Sequence, residues 1–388
     1  MPYDFDTPVD RRHTASLKWE VTQRELPMWV ADMDFRTAPE IREALQERAG
    51  HGVFGYSVVP PEWYAAILHW WEERHAFRME KDWLLFCTGV VPAISSMVRK
   101  LTTAGENVLV LTPVYNIFFN SIVNNGRRVL ECPLLYQNGG YQVDFADLEE
   151  KLRDPQTTMM LLCNPHNPIG KIWDRTVLAR IGALCARYHV TVISDEIHCD
   201  LTMPGCSYTP FASVSDACRD NSATCIAPTK AFNLAGLQTS AIVVPDENLR
   251  NKVNRGINTD EVAEPNSFAV TAAVAAFEKG SSWLDALRDY LQENRRLTQN
   301  FLQQELPGIR LVSGDATYLL WLDCAAVTGS ATELAEFIRE RTGLYLSDGA
   351  QYRGNGGQFL RLNTACPRAV LQDGLNRLRQ GILEFTDQ

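Results

Sequence analysis

The chain lacks the features that mark several large protein classes. Its ten cysteines include no C-x-x-C pair and its seven histidines no H-x-x-x-H pair, the spacings that commonly hold zinc or a redox dithiol. Most of the cysteines lie in apolar runs such as LLFCTG and LLCNP, so buried free thiols are expected and no metal is implied. No segment approaches the roughly 20 apolar residues needed to cross a bilayer. The start, MPYDFDTPVDRR, has neither the basic region nor the apolar core of an export signal, so a cytoplasmic protein with no membrane partner is expected. Positive charge is in short supply, with 37 Lys and Arg against 47 Asp and Glu and a formal net charge of -10. Nucleic acid, which is held by clustered basic residues, is therefore not an expected partner. No G-x-G-x-x-G follows the first strand-like run, which argues against a dinucleotide fold.

What is present is an ordinary globular composition, 45% hydrophobic and 22% charged over 388 residues, long enough for about two domains and a cleft between them. Short apolar runs alternate with helical patterns through the middle of the chain: LLFCTG, NVLVLTPVY, MMLLCNP, VTVISDE, ATCIAP and AIVVPD. That alternation predicts an α/β fold with a large, doubly wound, mostly parallel sheet. From about residue 280 a long amphipathic helix and strands around ATYLLWLD and GQFLRLN predict a smaller α+β domain. The expected division is an N-terminal segment, 1–45, packing with the small domain or a partner subunit, then a large domain, 46–280, and a small domain, 281–388.

Ligands of such sheets sit beyond the C-terminal ends of the strands, where Asn164, Asp195 and Lys230 fall in this pattern. There are only eight lysines, at 18, 81, 100, 151, 171, 230, 252 and 279. Six lie in charged or helical surface contexts and Lys171 follows a Pro-Ile-Gly turn. Lys230 ends the predicted strand ATCIAPTK and leads into AFNLAGLQ, where desolvation would lower its amine pKa and make it nucleophilic. Taken alone, such a lysine is more readily one that snorkels to solvent from a strand end. NPHNPIG, residues 164–170, is a Pro-rich turn whose amides can also donate to a ligand. Asp195 follows VTVI, where a buried carboxylate requires a cation, either an arginine or a protonated ring nitrogen.

Taken together and in this order, the three segments resemble the fold-type I pyridoxal-phosphate enzymes of the aspartate-aminotransferase superfamily. That resemblance implies pyridoxal 5'-phosphate as cofactor, with Lys230 as the catalytic Schiff-base lysine, Asp195 as partner of the pyridine nitrogen and Asn167 as donor to the ring's phenolic oxygen. His198 stands where many aminotransferases have tyrosine. Gly89, Val90 and Val91 match the turn and helix start that bind the phosphate, Tyr115 the aromatic that stacks on the ring, and Arg361 the fork for the substrate carboxylate. Tyr56 resembles a tyrosine that crosses to the neighbouring subunit's phosphate and borders its substrate, which implies a homodimer.

Further segments, D-R-x-x-T-x-S-x-K-W (Asp10 to Trp19), PMWVADMDF, HGVFGYS, TGVVPAI, APTKAFNLAGL and RLNTACPR, are similar over nearly the whole chain to the carbon-sulfur β-lyase branch, the cystathionine β-lyases. The resemblance implies β-elimination from cysteine S-conjugates such as cystathionine and cystine, releasing thiol, pyruvate and ammonia. Transamination of an amino acid and 2-oxo acid pair is the alternative, and a binding protein on a retired enzyme fold a more distant one. Two positions depart from the common aminotransferase pattern: Ala227 and Gln238 stand where phosphate-binding hydroxyl and arginine side chains are usual. Phosphate would then depend more on Thr229, the helix start and Tyr56. Asp32 and Asp34 are read as part of a loop at the substrate mouth rather than as metal ligands, and Arg368 as a residue at a helix start.

Overall fold

The computed structural model of the chain describes residues 3–387. The centre is a seven-stranded sheet formed by β1 (Leu84–Cys87), β2 (Asn107–Thr112), β3 (Arg128–Pro133), β4 (Thr157–Cys163), β5 (Thr191–Asp195), β6 (Ser222–Ile226) and β7 (Ser240–Val243). Its order is β1-β7-β6-β5-β4-β2-β3. Neighbours from β3 through β6 are parallel, and β7 runs against both β6 and β1. The expectation of a mostly parallel α/β sheet holds, with one reversed strand. β2 shows why these runs read as continuously apolar: Val108 and Val110 pack into the core on one face, Leu109 and Leu111 into the core on the other. A strand covered on both faces has no polar side to alternate with.

Helices complete both layers. α1 (Pro39–Gly50) and α2 (Pro61–His75) pack against a later helix, α5 (Ala269–Lys279). α2 buries Trp63, Trp70 and Trp71 along one stripe. α3 (Val90–Leu101) follows β1 directly, and α4 (Arg175–Arg187) begins at Asp174, whose carboxylate caps the Val177 N-H at 2.9 Å.

A second sheet holds four antiparallel strands in the order β8-β9-β11-β10. They are β8 (Arg310–Leu311), β9 (Leu319–Asp323), β10 (Ser347–Asp348) and β11 (Phe359–Asn363). The 25-residue α6 (Ser281–Glu305) buries Trp283, Leu284, Leu287, Tyr290 and Leu291, the three- and four-residue spacing of an amphipathic face. α7 (Ala331–Thr342) and α8 (Arg368–Thr386) pack on each other. The chain's first part reaches both sheets' surroundings: Leu26–Pro27 pairs in parallel with Leu344–Tyr345, while Phe5 and Phe35 meet the ring of Tyr290.

Candidate active site

One cleft collects the strand ends of the large sheet. Asp195 closes β5, the Asn164–Gly170 turn follows β4, and Thr88 and Gly89 follow β1. Because β7 is reversed, its beginning lies on the same edge and adds Gln238 and Thr239. The lining includes Gly89, Val90, Val91, Tyr115, Asn167, Asp195, His198, Thr229 and Lys230. Nine of the expected site residues therefore share one cleft.

Lys230 does not end a strand as expected. β6 stops at Ile226, and Pro228 begins a turn in which Phe232 N-H reaches the Pro228 carbonyl and Leu234 N-H that of Thr229. The amine donates to the Ala31 carbonyl at 2.6 Å. Burial lowers its pKa to about 8, against the raising influence of Asp32 and Asp195, so roughly a tenth of the amine is unprotonated and nucleophilic at pH 7, far more than for an ordinary lysine. Asp195 is 3% exposed and burial raises its pKa to about 6, opposed by the Ile197 N-H and by Lys230. Its Oδ1 accepts from Ile197 N at 3.2 Å, and no ion pair reaches it among the described residues. A buried carboxylate so placed favours a cationic ligand atom beside it.

His198 is buried, its pKa lowered to about 3 by burial and by Lys230 and Arg361, and its Nδ1 has no hydrogen-bond partner. It stays neutral at working pH and can accept or donate one hydrogen bond. Tyr115, also in the cleft, has its hydroxyl pushed up to about 12 by burial and by Asp195. Glu196, next in sequence to Asp195, is wholly buried and bonded to Ser194 Oγ at 2.8 Å, to the Phe211 N-H at 2.9 Å and to the Tyr208 hydroxyl. Burial raises its pKa to about 8, so it holds the turn after β5 as a neutral acid.

The N-terminus of α3 faces the same cleft with Gly89 as cap residue and no side chain capping it. Its first N-H groups have no partner within the helix and attract an anion. Thr239 adds a buried hydroxyl without a partner. A phosphate at this end, an aldehyde near Lys230 and a protonated ring nitrogen near Asp195 are matched by donors and charges the chain leaves unused.

The facing wall comes from distant parts of the sequence. Arg361, in β11, lies 5% exposed and donates to Asn167 Oδ1 at 3.1 Å and to the Trp29 carbonyl at 2.8 Å, with its Nε unpartnered. Asn167 is thereby oriented with its amide nitrogen left to the cleft. Gly170 fixes the end of that turn: φ is +66°, and a Cβ there would meet the Ala316 carbonyl at 2.8 Å. Tyr318 donates to the same Ala31 carbonyl that Lys230 uses, at 3.1 Å. Asn233 bridges the walls, accepting from Met33 N at 3.0 Å and donating to the Met33 and Phe35 carbonyls.

Two further expectations are corrected. Lys18 is 1% exposed rather than superficial, because it pairs with Asp34 at 2.7 Å. Asp32 and Asp34 are bound by Arg11 at 2.8 and 2.7 Å. Of that loop it is Ala31 that lines the cleft. Tyr56, expected in a neighbouring subunit's cleft rather than its own, is fully exposed and outside this chain's cleft, on the irregular surface stretch from Gly52 to Pro60. Arg368 opens α8 and lies over the Tyr290 ring, 4.8 Å from its centre, as a helix-start residue. Ala31, Tyr318, Thr239 and Glu196 were given no role from sequence; only Glu196 carried a signal, a second acid beside Asp195 after an apolar strand.

Residues 27–378 match the model of the aminotransferase class I and II family. The chain belongs to that family. Within the family it is 44% identical over 385 residues to cystathionine beta-lyase PatB of Bacillus subtilis, covering 98% of this chain and 100% of that one. It superposes on cystalysin of Treponema denticola, a structure containing pyridoxal 5'-phosphate, with a TM-score of 0.96 at 32% identity, covering 99% and 100% of the two chains. The pyridoxal-phosphate-bound C-S lyase of Staphylococcus hominis, complexed with L-cycloserine, gives a TM-score of 0.91 at 31% identity over 98% of each chain.

Proposed function

We propose that this chain is a pyridoxal-phosphate-dependent carbon-sulfur β-lyase that cleaves cysteine S-conjugates such as cystathionine to thiol, pyruvate and ammonia. The observation that carries the reading is the meeting, in one cleft, of a Lys230 amine lowered to about 8, a buried Asp195 carboxylate and the uncapped start of α3. Full-length similarity to PatB supports elimination over transamination.

When bound, pyridoxal phosphate supplies an electron sink for negative charge developing at the substrate's Cα. The α3 N-terminus, with Thr229 and Thr239, would hold its phosphate; Asp195 would keep its ring nitrogen protonated; Asn167 and His198 would meet its phenolic oxygen; Tyr115 would cover its ring. Arg361 binds the substrate's α-carboxylate through its fork, giving up its bond to the Trp29 carbonyl or keeping it with its second edge. Lys230, freed as an amine, takes the proton from Cα. The Ala31 carbonyl accepts a hydrogen bond from that amine and so aims it. Neutral His198 adds no charge that would compete with Lys230 for the proton.

We further propose a homodimer in the cytoplasm. Val53, Phe54, Tyr56 and Val58 are all more than half exposed on one short stretch, an apolar display that a second subunit would cover, and Tyr56 is free to reach a neighbour's cleft. All ten cysteines are free thiols, suited to a reducing compartment. Pyruvate assays with cystathionine and cystine, run beside an amino acid plus 2-oxoglutarate, test the function. Pyruvate and thiol from the conjugates are expected; amino-group transfer without pyruvate would favour the aminotransferase reading.

A further inference from the structure

A second cavity lies beside the turn after β5, between the end of α2 and α6. His75, Cys199, Asp200 and Cys206 line it, together with Arg74 and Arg288. One donor atom each of His75, Cys199 and Asp200 lie within 4.8 Å of one another. A tetrahedral zinc with bonds of about 2.0–2.3 Å places its donors roughly 3.3–3.8 Å apart, so binding would draw these side chains together by about 1 Å.

Independent of that spacing, Asp200 is incompletely satisfied. It is 5% exposed; Oδ1 takes Trp70 Nε1 at 3.0 Å and His75 Nε2 at 2.9 Å, while Oδ2 is buried with no hydrogen-bond partner. Neither arginine lining the cavity supplies the missing bond. Arg74 is engaged by Asp285 and Ser281, and Arg288 by the Thr202 carbonyl and hydroxyl. A buried carboxylate oxygen without a donor, beside an imidazole and a thiol, calls for a cation.

We propose that His75, Cys199 and Asp200 form a binding site for a divalent cation of the zinc class, with its fourth position open to the cavity and to Cys206. One nitrogen, one sulfur and one oxygen donor favour a borderline-soft ion, and the thiolate disfavours magnesium and calcium. Binding releases the Cys199 proton to solvent and forms the sulfur-metal bond in its place; the resting thiol is held protonated by burial and by the carboxylates of Asp200 and Glu196. Cys199 and Asp200 directly follow His198, so an occupied site ties the turn carrying that cleft residue to the end of α2. No sequence pattern announces the site, because His75 stands 124 positions before Cys199.

Holoenzyme dialysed against a chelator and titrated calorimetrically with zinc chloride should take up one tight equivalent per chain, uncontested by magnesium. Cys199→Ser and His75→Gln should each weaken it by more than about 100-fold, with the cofactor's visible absorbance retained as a sign of intact folding. A wild-type chain without the tight equivalent, or folded variants that keep it, would overturn the site. Zinc-edge X-ray absorption of the loaded wild-type protein decides without any variant: one sulfur among nitrogen and oxygen neighbours is expected, and a shell of nitrogen and oxygen alone contradicts the assignment.

Discussion

The wall carrying Lys230 and Asp195 draws its side chains from the short loops at one edge of a single sheet, whereas the opposite wall is assembled from residues 29–34, Tyr318 and strands β10 and β11. Ser347 and Trp321 are the strand partners of Arg361 in the small sheet. The bonds that join this second wall run largely through main-chain carbonyls: Arg361 to Trp29, Asn363 to Val30 and Asp32, and Lys230 and Tyr318 to Ala31. The first wall places reactive groups by strand register, with Asp195 opposite Cys163 on one side and Cys225 on the other. On the proposed reading, the second would position the substrate by a strap of chain whose side chains matter less than its path. Chemistry should therefore be sensitive to substitution on the first wall, and affinity on the second.

The largest effect should come from Lys230→Ala. Loss of the amine should reduce turnover by about 10²- to 10⁴-fold, measured as pyruvate release, and a variant retaining full activity would break the distinction between the walls. Arg361→Ala should instead raise KM by about 10- to 150-fold, the equivalent of about 1.5–3 kcal/mol for hydrogen bonds to a charged group, with the cofactor's absorbance unchanged. A fall confined to kcat would show that Arg361 serves chemistry rather than binding.

Lys18→Met probes the strap at a distance. Asp34, only 4% exposed, keeps Arg11 and the Trp19 indole but loses its buried ammonium. A stability loss of about 3 kcal/mol in urea unfolding is expected, with a rise in KM larger than the fall in kcat.

The smallest effect concerns Glu196→Gln. Folded Glu196 keeps its proton up to about pH 8, whereas an unfolded one loses it near 4.5. Between those values the folded state binds more protons, so this residue's contribution to stability falls as pH rises and levels off above about 8. Glutamine has no such proton to lose. Melting temperatures measured from pH 5 to 9 should therefore shift in favour of the variant as pH increases, and a difference independent of pH would contradict a neutral Glu196.

The same contrast explains what could be read from the amino-acid sequence. Strands such as NVLVLT and VTVISD are apolar on both faces, and their ends mark the ligand edge, so Asp195 and the Asn167 turn were legible from local pattern, whereas the α3 start was assigned by family resemblance. The reversal of β7, which delivers Thr239 to that edge, depends on pairing with β1 and β6 and leaves no local trace. Lys18 reads as a surface residue in SLKW because the acid that buries it stands 16 positions later. Ala31 contributes only its carbonyl, and a main-chain group has no residue-type signal. Resemblance to a family supplied the roles of Tyr115, Arg361 and Tyr56, which periodicity alone does not.

Reduction of the holoenzyme with borohydride, followed by digestion and mass spectrometry, addresses the point on which the rest turns. A pyridoxyl label on the peptide containing APTKAF, at Lys230 and at no other lysine, is the expected result. A label on another of the eight lysines, or a protein that takes up no cofactor and stays unlabelled, would contradict it.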